Sequence, residues 1–123
     1  ADVALLVDTR ESLRALAGER SGVDTIAALE RLADRCPLVV RLTPAPALTP
    51  TRRGAAGFAG HMLAVAYEAM IDDSWSRLKA CQHCHWFFYD HSRNAAGRWC
   101  STRACGSRLK ARAYRARKKV AHA

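Results

Sequence analysis

Cys81, Cys84, Cys100 and Cys105 stand in the pattern C-x2-C-x15-C-x4-C, which gathers four of the chain's five cysteines into one short segment. A two-residue gap lets a tight turn aim both sulfurs of the first pair at one ion, and the longer gap leaves room for a hairpin before the second pair arrives. The chemistry this arrangement suits is a closed tetrahedral site for one structural Zn²⁺. Four thiolates fill every coordination position and leave no seat for a catalytic water, so the pattern reads as that of a binding protein, not an enzyme. His83, His85 and His91 lie among these cysteines and are expected as exposed or surface-packed imidazoles, while Cys36, beside Pro37, reads as an ordinary buried thiol. Five cysteines are too few for a disulfide scaffold, and with no secretion signal at Ala1 the expected setting is a reducing cytoplasm.

The second chemistry is that of cations. Residues 1–78 carry nine Lys and Arg against ten Asp and Glu, whereas residues 79–123 carry eleven against a single acid, Asp90. The net charge of +9 therefore belongs to the C-terminal part, and the break gives two domains, 1–78 and 79–123. Beyond Cys105, the residues Leu109, Ala113, Ala116 and Val120 recur at helical spacing and predict a helix docked along that seam. Beside the seam, Arg108, Arg112, Arg115 and Lys119 form a basic stripe, Lys110 and Arg117 flank the other edge, and Lys118 lies at the back. A solvated helix face usually mixes signs to gain pairs one turn apart; this one has no acid. A polyanionic partner follows, with duplex DNA the leading choice: Arg108, Arg112 and Arg115 nearest the groove, and Arg93, Asn94, Arg98, Lys118 and Lys119 on phosphates.

These groups need a scaffold, and the chain supplies an α+β one. Half of its residues are hydrophobic, enough for a core, yet no apolar run is long enough to cross a membrane, because Gly54–Met70 is interrupted by His61 and Glu68. Leu5, Leu6, Leu13, Leu16 and Ala17 predict one helix. Ile26, Leu29, Leu32 and Ala33 predict a second, capped by Asp24 and joined to the first around Ser21–Gly22. "LVVRLTP" and "ALTPTRR" predict a hairpin with a second arm weakened by Pro50. A long helix follows from Gly54, its apolar face made of Phe58, Met62, Val65, Ala66, Tyr67 and Met70, with a break at Asp72–Asp73 and a helical restart from Ser74 through Leu78. Between the cysteine pairs, an aromatic strand at Trp86–Tyr89, a polar turn and a return to Trp99 are expected. The whole reads as a small helical domain with one hairpin, followed by a treble-clef-like finger with a basic C-terminal helix.

The run C-x2-C-x-WFFYDHSRN-x3-RWCS-x3-CGSR-x-K-x3-YRAR resembles the CGNR zinc finger, a bacterial module regarded as DNA-binding and found at the C-terminus of stress-induced transcriptional regulators. Cys105, Gly106 and Arg108 fit its signature tetrapeptide, and Ser107 stands where the family has asparagine. Residues 1–78 resemble more loosely the ABATE domain that precedes such fingers, in a shortened form. The resemblance implies a transcriptional regulator, with a homodimer and a small-molecule effector at the N-terminal domain as further expectations. Three alternatives stay open on the residues alone. A single-stranded RNA or DNA binder would stack bases on Trp86, Phe88 or Tyr89. A treble-clef nuclease would use His85, His91 and Asn94. A protein-interaction module would take an acidic partner.

Overall fold

A computed structural model describes residues 2–18 and 22–121 of the chain. They form two compact units, Ala1–Ser76 and Arg77–Ala123. The structural break thus falls two residues before the break in charge, because Arg77 and Leu78 already bond to the segment that follows.

The N-terminal unit begins with α1, Asp2–Ala17, whose first-turn Asp2 complements the positive end of the helix. Leu5 and Thr9 are its buried residues, and the Thr9 hydroxyl donates to Leu5 O at 2.8 Å, so burying it leaves no polar group unmet. Next comes α2, Val23–Arg35, where the N-cap is Gly22 and not Asp24; Asp24 sits in the first turn, where its charge acts on the helix dipole without a capping bond. Ser21, on the other side of the expected junction, lies outside the described residues. At the other end the Cys36 N–H donates to Leu32 O and Ala33 O, and Pro37 prevents further helix.

The hairpin pairs β1, Leu38–Arg41, with β2, Ala47–Pro50, in antiparallel register from Leu38↔Pro50 to Arg41↔Ala47. Pro50 does not weaken the arm, because it occupies the last pair; both the N–H and the hydroxyl of Thr51 donate to Pro37 O at 3.1 Å just beyond it.

Helix α3, Gly54–Ile71, packs against α1 and β2. The sequence assigns its bulky residues to the core, and the structure reverses this. Ala59, Gly60, Ala64 and Ala66 are buried, whereas Phe58 is 60% exposed and Met62, Val65, Tyr67 and Met70 also face out. Close approach explains the reversal: a Cβ on Gly60 would lie 3.3 Å from both Leu38 Cδ2 and Pro50 Cβ, so only the small side of α3 fits against the hairpin. The core joins Leu5, Leu32, Cys36 and Ala59, with Leu6, Leu29, Ala56 and Leu63 packed around them. Cys36 is 1% exposed, the buried thiol expected of it. Among the described residues no helix is long and apolar enough to cross a membrane.

A 3₁₀ turn at Ser74–Arg77 replaces the expected helical restart, and Leu78 belongs to a strand. The C-terminal unit pairs β3, Leu78–Ala80, with β4, Phe87–Tyr89, antiparallel from Leu78↔Tyr89 to Ala80↔Phe87. The aromatic strand therefore exists, but its partner precedes the first cysteine pair instead of returning at Trp99. A π-helical turn, Thr102–Gly106, then runs into α4, Ser107–Val120. With helices and two separate small hairpins, the class is α+β.

Candidate metal centre and basic helix

The β3–β4 hairpin closes on the first cysteine pair. Cys81 N donates to Trp86 O at 2.8 Å and His85 N to Cys81 O at 2.9 Å, which folds residues 82–84 into a knuckle. His85 completes it in the left-handed region at φ 59°, a conformation that usually selects glycine. The second pair is brought alongside by Gln82 N, which donates to Arg98 O at 3.0 Å. Ser101 then holds the turn between Cys100 and Cys105: its carbonyl accepts from Cys105 N and Gly106 N, and its hydroxyl accepts from Ala104 N at 3.2 Å.

The result is a thiol cage. Cys84 Sγ lies 3.6 Å from Cys100 Sγ, which lies 3.7 Å from Cys105 Sγ, and the four sulfurs all fall within 4.8 Å of one another. Zn–S bonds of about 2.3 Å arranged tetrahedrally require S···S edges of about 3.8 Å, so the cage has the size zinc needs. Cys81 and Cys105 are buried, Cys100 is half-buried and Cys84 is exposed. These four side chains would hold one Zn²⁺, whose bonds supply cross-linking and leave no open position for chemistry.

The thiols differ in acidity. Burial pushes Cys81 up, but the N–H groups of Cys84, Cys100 and His83, with the Cys84 thiol, outweigh it and bring Cys81 down to about 6. Burial, followed by the thiols of Cys100, Cys84 and Cys81, pushes Cys105 up to about 12. Hydrogen bonding with Cys84 is the first cause that raises Cys100, with burial second. Cys81 is thus the thiol of the cage most readily deprotonated, whereas Cys100 and Cys105 hold their protons more tightly and would release them to a metal.

Sequence reasoning noted Asp90 only as the lone acid of the basic part and gave it no role. It is 3% exposed and accepts from Lys79 Nζ at 2.8 Å, Gly97 N at 2.7 Å and Ser92 N at 3.0 Å. Lys79 Nζ also donates to Ala95 O. The Arg77 guanidinium donates to Asp90 O and Ser92 O at 3.0 and 2.8 Å. Lys79, then the Ser92 side chain and N–H, hold the Asp90 carboxyl well below the usual range. A Cβ on Gly97 would sit 2.6 Å from Asp90 Oδ1, so only glycine can pass so close. A signal was present: a lone acid among eleven cations is the one expected to have a dedicated partner.

This carboxylate fixes the segment 91–98 that bears Arg93, Asn94 and Arg98, all three exposed. Arg108, Lys110, Arg112, Arg115, Arg117, Lys118 and Lys119 are exposed on α4. The expected docking seam is only partly present: Leu109 is half-buried, but Ala113 and Ala116 are exposed and Val120 is 79% exposed. Among the helices and strands, α4 packs chiefly on the π-helical turn from which it grows. Among the described residues no cation of α4 is paired with a carboxylate. Trp86 is 71% and Tyr89 43% exposed, with the Tyr89 and His91 rings 4.8 Å apart.

A search of curated proteins finds no match for the chain. Residues 77–118, which span both cysteine pairs and most of α4, match the CGNR zinc finger. The stretch whose four cysteines, Cys81, Cys84, Cys100 and Cys105, are placed to hold one zinc ion is thus the stretch that matches the CGNR zinc finger family.

Proposed function

We propose that the protein binds duplex DNA through α4 and the 91–98 segment, as a cytoplasmic bacterial transcriptional regulator whose finger is stapled by zinc. One observation carries this reading. The single acid of the basic part, Asp90, is buried against Lys79, so the exposed cations from Arg93 to Lys119 have no local carboxylate to neutralise them. Such a surface gains most from phosphates, which release condensed counterions on contact. Zinc on Cys100 and Cys105 would set the direction in which α4 leaves the Thr102–Gly106 turn, and a closed four-thiolate site supports binding over catalysis.

Selection of bound duplexes from a random pool, with and without zinc, tests the reading. Enrichment of a motif only with zinc is the expected result, and a palindromic motif would reveal a dimer; no enrichment would overturn sequence-selective binding. A single-stranded target is the second reading, favoured by the outward rings of Trp86 and Tyr89. Competition of a bound duplex by the same sequence as a single strand separates the two.

A further inference from the structure

We propose that the cleft between the zinc knuckle and α4 is a binding site for a phosphate group. Arg108, Arg112 and Arg115 follow one another at spacings of four and three and so share one stripe of α4. The structure shows that this stripe borders an open cleft of about 380 Å³, together with Ser107 and Ala111, and that His83 of the knuckle forms the opposing wall. Two parts of the finger, far apart in sequence, therefore converge on one concavity, and zinc bound by the four cysteines would hold them in place.

The lining defines the ligand. Three guanidiniums spaced about one turn from the next repel one another, and nothing acidic lines the cleft to relieve them. Ser107 and Ala111 are small, which leaves space between the arginines and the half-buried imidazole. Guanidinium forks match phosphate oxygens two at a time, and an imidazole N–H from the far side adds a donor that a flat basic surface lacks. A compact, multiply charged oxyanion fits this set. The cleft thereby assigns the arginine stripe to phosphate instead of base edges and leaves Lys110 and Arg117, on the other edge of α4, turned elsewhere. The source of the phosphate, a nucleic-acid backbone, rests on the proposed function; the site itself does not.

The experiment uses zinc-loaded full-length protein and follows arginine Nε–H and His83 ring resonances by NMR, with pyrophosphate in one arm and a short duplex in the other. Pyrophosphate should move Arg108, Arg112, Arg115 and His83 along one saturation curve, and the duplex should move the same set. Arg112→Ala should weaken pyrophosphate about tenfold, the loss of one charge-assisted bond, without lowering zinc content. His83→Gln should weaken it less, and Arg41→Ala, on β1, should leave it unchanged. Pyrophosphate that shifts the cleft while the duplex does not bind keeps the site and removes the DNA reading, making a free phosphate or nucleotide the source. A duplex that binds without shifting these residues overturns the site and keeps the DNA reading. The site also falls if Arg112→Ala costs zinc but not pyrophosphate affinity, since the arginines would then serve only to screen the thiolates.

Discussion

The two units reach a folded state by different physics. In the N-terminal unit, Leu5, Leu32 and Ala59 are buried together, and helices and hairpin close on one another through small residues. In the C-terminal unit, the buried side chains among the described residues are Cys81, Cys105 and Asp90; Phe87, Phe88 and Trp99 are only partly covered. One unit has an apolar core, while the other has a metal cage and a buried ion pair. Solvent-excluded apolar surface stabilises gradually and forgives substitution. Ligand bonds and paired charges are few, so each one matters.

The strongest test of this contrast is to remove the metal. Chelation should unfold the C-terminal unit and leave the helices of the N-terminal unit formed, since structural zinc in finger peptides supplies about 10–16 kcal/mol. Circular dichroism and amide exchange, followed on both units, would show it, and a C-terminal unit that stays protected in chelator would break the comparison. Cys81→Ser should be more damaging than Cys84→Ser, because Cys81 is buried and Cys84 exposed.

Deleting residues 109–123 keeps every cysteine but removes Lys110, Arg112, Arg115, Arg117, Lys118 and Lys119. If the finger neutralises about five phosphates, log K should fall against log salt with a slope of about −4 to −5 in the intact chain, and most of that slope should vanish in the truncated one. Retention of both slope and affinity would move the binding surface to the 91–98 segment and the outward aromatic rings. Within α4, Arg112→Ala should weaken specific and nonspecific duplexes about equally, as a phosphate contact does.

Asp90→Asn probes the ion pair alone. A carboxyl whose folded pKa lies below its ordinary value of 3.8 contributes stability that is fully present above 3.8 and is lost as the pH falls from there through the folded pKa. Protonation of the thiolates releases the metal on the way down, so the variant is best compared at neutral pH. The Ser92 and Gly97 amides, which donate to the carboxylate, should exchange about tenfold faster while the zinc content stays at one per chain. Unchanged exchange would mean that the segment does not depend on Asp90.

The smallest effect is expected from Gly60→Ala in the N-terminal unit. Helix propensity favours alanine by about 0.8–1 kcal/mol, and overpacking against Pro50 and Leu38 costs about 1–3 kcal/mol, so a net loss of about 1 kcal/mol is expected in thermal unfolding. Gly97→Ala places its new methyl against a buried carboxylate and should cost more. Equal losses at the two glycines would erase the distinction between the units.

The sequence by itself determined what depends on neighbours along the chain. The spacing of Cys81, Cys84, Cys100 and Cys105 named the zinc ligands, because a knuckle is a local turn and thiolate chemistry leaves little choice of metal. The periodicity of Leu29 and Leu32, the β-branched run at Val39–Val40 and the position of Pro37 located helices and strands for the same reason. Tertiary structure decided which of several local options was used. Helix α3 is apolar on most of its circumference, interrupted by His61 and Glu68, so no period could say that Ala59 and Gly60 go in and Phe58 stays out; the distance to the hairpin decides that. Nothing near Phe87–Tyr89 says that its partner is Leu78–Ala80, nor that His83 and Arg112 line one cleft. Nothing local says that Asp90 turns inward to Lys79. Those pairings join segments whose meeting depends on volume, excluded water and complementary charge in three dimensions, which a window along the chain does not contain.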